Sequence, residues 1–323
     1  MSVANSSGGG QGGSSFHHLP VMEREVVHYL APGAGKTIVD ATLGGAGHAA
    51  ALLQGGARVI GLDRDPEALA HATSRLDRYG EAFVSRQANF AQLSEVVEAL
   101  APSGVGGILL DLGVSSYQLD TPGRGFSLRL EGPLDMRMNP AEDLTAAEVV
   151  NEWEPQELAR IFRELGEERK AKAIARAIER RRARKPFRET LDLADCVAGV
   201  VGRSGRLHPA TRVIQALRMT VNRELESLEE ALAAAPGLLA PGGRLAVITF
   251  HSLEDRIVKH FFRDRSAPEI DRPEWPAPRP NPDWSLQVLT RRPVTAGREE
   301  LQENPRARSA KLRVAERITP EES

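Results

Sequence analysis

The chain holds a single cysteine, Cys196, in 323 residues. One thiol excludes an intrachain disulfide and a cysteine metal cluster, and it suits a reducing cytoplasm. Cys196 lies in an apolar helical stretch and reads as core. No apolar run approaches the roughly 18 residues that a membrane-spanning helix needs. Charge of one sign is also lacking. The formal net charge is −2, so contacts to nucleic acid would have to come from local patches. The eight histidines show no ligand spacing, and the adjacent pair His17-His18 has neither helical nor turn spacing, so no metal site is expected. Met1 to Ser15 is mostly Ser, Gly, Asn and Gln. It lacks the basic and apolar regions of a secretory signal and reads as a disordered tail, residues 1–15. No internal repeat is visible. What remains, 41% hydrophobic and 27% charged, describes an ordinary soluble globular protein of one large domain or two.

The chain is organised around Thr37 to Asp63. Thr37, Ile38 and Val39 are β-branched and run into a carboxylate, Asp40. A glycine-rich turn, Leu43-Gly44-Gly45-Ala46-Gly47-His48, leads into an alanine-rich helical segment. A second apolar run, Arg58 to Leu62, ends on Asp63. Strand, glycine turn, helix, strand, acid is the pattern of a nucleotide-binding βαβ unit. Glycines let the backbone approach a ligand, and an acid ending the second strand can grip ribose hydroxyls. Gly45-Ala46-Gly47-His48-Ala49-Ala50 passes as G-x-G-x-x-A, which admits a nicotinamide dinucleotide. Asp40 would sit badly beside a pyrophosphate, however, and suits a cationic ligand such as the amino acid end of S-adenosylmethionine. A glycine turn that only joins strand to helix is the plainer reading of this stretch alone.

Further along, Pro66 opens a helix to about Tyr79, Ala82 to Val84 is a short strand leading to Asn89-Phe90, and a helix spans about Ala91 to Leu100. Gly107 to Leu110 is a fourth strand, closed by Asp111. Alternating strands and helices imply a mostly parallel sheet covered on both faces, with ligands at the carboxyl ends of the strands. Asp40, Asp63, Asn89-Phe90 and Asp111 all fall at such ends. From about Tyr117 to His208 no convincing strand occurs. Helical patterns at about 145–150, 155–165, 167–185 and 190–201 read as an insertion, placed at 121–207 between two parts of the sheet domain, 16–120 and 208–323. Within it, Arg163 to Arg188 carries eleven Lys or Arg against four Glu. Arg181, Arg182, Arg184 and Lys185 lie in its densest part. In a slightly acidic protein this asymmetry favours a phosphate-binding surface over a solvated helix face.

A long helix starts near Pro209. Thr211, Gln215, Arg218 and Asn222 fall within about 60° of one another on it. This polar stripe has one charge and suggests a polar site. Leu245 to Phe250 is a fifth strand ending at His251, and Ser252 reads as the N-cap of the next helix, with Asp255 partly completing a capping box. A proline-rich loop, 267–283, precedes two late strands, 284–290 and 310–315, read as an antiparallel pair.

The fifth strand introduced by Pro241-Gly242-Gly243, with the late strand pair, resembles the class I S-adenosylmethionine-dependent methyltransferase fold: Rossmann-like α/β, here with an inserted helical domain. Longer blocks narrow the resemblance. Asp111-Leu112-Gly113-Val114-Ser115-Ser116-Tyr117-Gln118-Leu119-Asp120 resembles a signature of the RsmH (MraW) family. So do Arg124-Gly125-Phe126-Ser127, Pro133 to Met138, His208 to Arg212, Phe250 to Arg256 and Asn304 to Ser309. The blocks occur in family order from about His18 to Arg317. The resemblance implies methylation of the exocyclic N4 of one cytidine in the decoding centre of the small-subunit ribosomal RNA. The partner is that RNA or the assembled small subunit, and the cofactor is S-adenosylmethionine. By position, it implies that Ala46, Gly47 and His48 wrap the methionine part, that Asp63 takes the ribose, that Phe90 packs on the adenine, and that Asp111 and Gln118 line the cofactor and the methyl-transfer edge. The family often has Gly-Gly-His where this chain has Ala46-Gly47-His48. Alanine there is tolerated if its φ is negative.

The cytosine amino group is a poor nucleophile, so acceptors must draw its N–H groups out of the ring plane. Asp111, the carbonyls of Leu112 to Ser115, and Ser115 or Ser116 are the candidates. His251 and Asp135 are the runner-up proton acceptors, unless His251 only braces the helix cap. The target base must be unstacked to reach such a pocket. A nicotinamide-dependent oxidoreductase is the competing enzyme reading. A non-catalytic RNA-binding module is the other; it explains the basic helix but not the acids at the strand ends. The oligomeric state is left open, a homodimer included.

Overall fold

The computed structural model describes residues 20–202 and 208–318, so Met1–Ser15 and His17-His18 lie outside the described residues. Its main sheet has seven strands: β1 (Thr37–Asp40), β2 (Arg58–Asp63), β3 (Phe83–Gln87), β4 (Val105–Asp111), β5 (Leu239–Thr249), β6 (Leu286–Val288) and β7 (Lys311–Arg317), in the order β3-β2-β1-β4-β5-β7-β6. The first five pair in parallel, and β7 runs antiparallel between β5 and β6. Both faces are buried, so the strands read as continuous apolar runs rather than alternating ones. Successive side chains still part to opposite sides. Ile38, Leu109, Ala246 and Ile248 join one core, whereas Val39, Ile108, Leu245 and Val247 join the other. Helices α1 (Glu23–Leu30), α2 (Gly47–Gln54) and α3 (Pro66–Leu76) contribute to the first core, and α4 (Leu93–Leu100) contributes to the second.

After β4, a short helix α5 (Ser116–Asp120) leads into a lobe of helices α6 (Ala146–Glu152), α7 (Pro155–Glu164), α8 (Ala171–Arg182) and α9 (Thr190–Val201). Its single core runs from Phe126 to Val221 and includes Val213, Ile214 and Leu217 of α10 (Thr211–Asn222), so α10 packs with the lobe. The helix expected from near Pro209 is α10, which stops at Asn222. Arg223 takes the left-handed conformation (φ 48°), and α11 (Glu224–Leu238) starts in a new direction and joins the second core of the sheet. The chain returns through β5 and α12 (Ser252–Ser266), and α13 (Arg298–Glu303) precedes β7.

Lobe and sheet meet at two places. Ser252 Oγ at the start of α12 donates to Glu167 Oε2 across 2.6 Å, and the residues after β2 bond to Glu142, Asn222 and Arg124 of the lobe. Among the described residues no helix is long and apolar enough to cross a membrane, and no group of three or more His, Cys, Asp or Glu is arranged to hold a metal.

Candidate active site

The carboxyl ends of β1, β2 and β4 each carry an aspartate, and the parallel register brings Asp40, Asp63 and Asp111 to one rim. Asp40 is 1% exposed. Burial lifts its carboxyl to about 6, while His48 and the Thr42 N–H pull it back. Asp63 is also lifted to about 6 by burial, against hydrogen bonds from Asp65 N (2.9 Å) and Gly44 N (2.8 Å). Each Asp63 oxygen therefore has one backbone donor and keeps a second lone pair.

His48, one residue into α2, is buried between these acids. Its Nε2 lies 3.4 Å from Asp111 Oδ2, a charge contact rather than a formed hydrogen bond. Burial favours the neutral imidazole, but Asp111 and Asp40 outweigh it and hold the His48 pKa above its ordinary value. Gly47 lets α2 start here, because a Cβ would stand 2.9 Å from Pro20 Cβ. Ala46 does not meet the condition under which alanine is easily tolerated. Its φ is +60°, in the left-handed region where alanine is strained by roughly 1–2 kcal/mol. Its methyl is fully buried in the first core of the sheet.

Asp111 N donates to Thr42 Oγ1 at 2.7 Å, which ties the ends of β1 and β4 together. Asp111 Oδ1 is buried with no hydrogen-bond partner, and so are both ring nitrogens of His48. A buried carboxylate oxygen without a donor is costly unless something else supplies one. Beside it, Ser115 caps α5: its Oγ accepts from Gln118 N (3.2 Å), and its N–H donates to Gln118 Oε1 (3.0 Å). The α5 helix begins at Ser116. Phe90 opens a 3₁₀ turn after β3 and lines a narrow cavity of about 30 Å³ together with Thr42, Arg64, Leu112, Gly113, Met138, Glu224, Leu228 and Glu254. A roomier groove of about 390 Å³ lies along β6, lined by Trp284, Leu286 and Val288, away from these acids. Chemistry, not volume, marks the site.

The rim thus gathers Asp40, Ala46, Gly47, His48, Asp63, Phe90, Asp111 and Ser115. Five other candidates are engaged by neighbours in the fold. Gln118 is buried, and its amide is taken by Ser115 on one side and Asp65 on the other (Nε2 to Oδ2, 2.9 Å). His251, not Ser252, is the N-cap of α12, and Glu254, not Asp255, completes the capping box. His251 Nδ1 accepts from Glu254 N at 3.4 Å, and Nε2 lies 2.9 Å from Glu254 Oε1, off the line of a hydrogen bond. Asp135 is taken up by both Nε and Nη2 of Arg137, which hold its carboxyl below the ordinary range against the opposing effect of burial. In the basic stretch, Arg181 forks onto Asp192 (both contacts 2.7 Å) and Arg182 donates to Val150 O and Trp153 O, so both brace the lobe. Arg184 and Lys185 are exposed.

The polar floor beneath the rim also contains Thr42, Arg64, Asp65, Arg124 and Glu224, to which the sequence assigned no site role, with Arg218 forked onto Glu224 at 2.8 Å. The polar stripe on α10 was the available signal. Asn222 and Arg218 both lie within this floor. Long-range pairing hid the others.

A sheet of order β3-β2-β1-β4-β5-β7-β6 with one antiparallel strand, glycine turn after β1 and acids at three strand ends defines the class I fold of S-adenosylmethionine-dependent methyltransferases. The model of the MraW methylase family matches residues 15–318, and the chain belongs to that family. It is 49% identical to a ribosomal RNA small subunit methyltransferase H of Carboxydothermus hydrogenoformans, over 94% of this chain and 99% of the relative. It is 50% identical to the protein of the same name from Trichlorobacter lovleyi, over 94% and 99%. Among solved structures, an rRNA methylase from Streptococcus thermophilus aligns over 92% of this chain and 94% of its own, at 10% identity and a TM-score of 0.40.

The site fits its cofactor. A sulfonium and an ammonium need nearby carboxylates, a ribose needs an acid at the end of β2, and an adenine needs an apolar slot. The rim offers buried or half-buried carboxylates at the ends of β1, β2 and β4, with Phe90 and Leu112 lining the cavity close by.

Proposed function

We propose that the protein transfers a methyl group from S-adenosylmethionine to the exocyclic N4 of one cytidine in the decoding centre of the small-subunit ribosomal RNA. The names of its relatives support the RNA, and the chemistry of the rim supports an amino nitrogen as acceptor. The observation that carries this reading is the buried, unpaired Oδ1 of Asp111. An amino N–H would supply the missing donor.

The bound cofactor supplies an electrophilic methyl on a cationic sulfur. Asp63 and the Gly44 turn would hold its ribose, Phe90 would flank the adenine, and Asp40 with the turn at Ala46 to His48 would receive the amino acid end. Asp111 Oδ1 accepts one N–H of the base and turns the amino lone pair out of conjugation with the ring. Once the methyl has arrived, that proton is acidic and passes to Asp111. A strong base beforehand is unnecessary. His48, its pKa raised by Asp111 and Asp40, is placed among these acids and offsets their mutual repulsion when protonated. His251 and Asp135 take no proton in this scheme, because one caps α12 and the other is held by Arg137. Exposed cations of the helical lobe, Arg184 and Lys185 among them, bind phosphates, while Arg181 and Arg182 shape the lobe behind them.

The test is to map tritiated methyl from labelled cofactor on ribosomal RNA, naked and in assembled subunits. Wild type should label one cytidine at N4. Asp111→Asn, which keeps the shape, should lose roughly 10²–10³ in turnover, as removal of a preorganised group at the reacting centre does. Label on another base refutes the specificity, and wild-type turnover in Asp111→Asn removes Asp111 from the mechanism.

A further inference from the structure

Three consecutive residues at the end of β2 have three different jobs. Asp63 faces the rim. Arg64 and Asp65 grip the helical lobe, Arg64 while also lining the narrow cavity beside Phe90. Arg64 Nη1 donates to Asn222 O at 2.7 Å, and its Nη2 donates to Glu142 Oε1 at 3.0 Å. Asp65, fully buried, accepts on Oδ2 from Arg124 Nη1 (2.8 Å) and from Gln118 Nε2 (2.9 Å).

These bonds close a ring. Asp65 N donates to Asp63 Oδ1. Arg124, held by Asp65, donates through Nη2 to Met138 O at 2.8 Å. Met138 N donates to Asn222 Oδ1 at 2.7 Å, and Asn222 Nδ2 donates to Met136 O at 2.8 Å. Asn222 O receives Arg64, which is bonded to Asp63 along the chain. A branch leaves the ring at Asp65: Gln118 carries it to the N–H of Ser115, beside Asp111. Gly125 permits the tight return after Arg124. It has φ +75°, and a Cβ there would stand 2.1 Å from Pro133 O.

The ring explains two sequence blocks to which the reaction gave no role, Arg124-Gly125-Phe126 and Pro133 to Met138. It sits between the ribose acid and the segment that places Met138 against the cofactor cavity. Every bond named in it is formed at 2.7–3.0 Å, although Arg64 Nε is buried without a partner, so displacement at one point is passed along the bonded groups. Its lobe side, Met136 to Glu142 and Asn222, opens the same body that carries the exposed cations.

We propose that Asp65, Arg124 and Asn222 are positioning residues that couple cofactor binding at Asp63 to RNA binding by the helical lobe, and that through Gln118 they set the loop carrying Ser115. This rests on the RNA-methylating reading above. Cofactor and RNA should therefore bind cooperatively, each tightening the other by the same factor.

The experiment measures binding of S-adenosylhomocysteine and of small-subunit RNA, each alone and with the other saturating. Wild type should show mutual tightening of about fivefold or more, the scale of ordinary allosteric coupling. Arg124→Lys keeps the charge and loses the fork. Glu142→Ala breaks the outer arm at a side chain 35% exposed, where the fold tolerates it. Both variants should retain each binary affinity within about threefold and lose the mutual tightening. In Arg124→Lys, kcat should fall by roughly 10–100-fold at unchanged KM for the cofactor, the scale set by a misplaced reacting group. Undiminished tightening in Glu142→Ala and in a folded Arg124→Lys overturns the inference. So does a wild type that binds both ligands independently. A wild type that binds no ribosomal RNA overturns the functional reading itself, and the inference with it.

Discussion

Asp40 is the most informative residue to perturb, because its burial and its charge work against each other. The carboxyl moves from an ordinary value of 3.8 to about 6 in the folded protein. That displacement corresponds to about 3 kcal/mol between its two protonation states. The sign follows from proton binding. Between about pH 4 and 6 the folded state keeps a proton that the unfolded chain has lost, so stability falls as pH rises through that window. Below it both states are protonated and the group is neutral in its effect. Above it both are ionised and the full cost of the buried charge is present. Asp40→Asn keeps an oxygen for the Thr42 N–H, now 3.3 Å from Oδ1, and removes the charge. The variant should gain up to about 3 kcal/mol of stability over wild type at pH 8, and almost nothing at pH 4. The gain will be lower to the extent that His48 loses a carboxylate that held its proton. Urea unfolding of the ligand-free protein at several pH values measures this directly. The same variant should bind S-adenosylmethionine more weakly, because the cofactor's cationic end loses its counter-charge. A stability difference that does not vary with pH would refute the account of Asp40 as a buried charge, and unchanged cofactor affinity would refute its role.

Two further outcomes separate strain and bracing from function. Replacing alanine by glycine in a regular backbone normally loses about 0.5–1 kcal/mol, but Ala46→Gly should show no loss, or a small gain, in thermal unfolding, because φ +60° is relieved. In the lobe, Arg181→Ala should lower stability by about 1–2 kcal/mol, since it leaves the half-buried Asp192 without its fork. Arg184→Ala with Lys185→Ala should leave the melting temperature alone, weaken RNA binding and flatten its salt dependence by about one phosphate contact each.

Much of this was legible in the chain, because some signals are local. β-Branched and aliphatic runs ending in acids mark strands, and the glycine turn after Asp40 and the proline at Pro66 mark helix starts. A parallel sheet then carries the strand-end residues to one edge whatever the details, so Asp40, Asp63 and Asp111 could be assigned to one rim from sequence. What sequence could not settle depends on pairs far apart in the chain or on one backbone angle. Periodicity showed the helix that ends at Asn222, but not the left-handed turn at Arg223 that follows it. The sign of φ at Ala46 is not encoded by residue type. Arg181 and Arg182 carry the same charge as Arg184, yet Asp192 and the carbonyls at the end of α6 consume them. Gln118 seemed free to meet a ligand until Asp65, 53 positions earlier, came to lie beside it. Composition and pattern determined the layers and the edge where ligands bind, since these follow from short-range sterics and the burial of apolar faces. Tertiary structure alone decided which polar groups at that edge remain available for chemistry, because a hydrogen bond is spent on whichever partner the fold brings within reach.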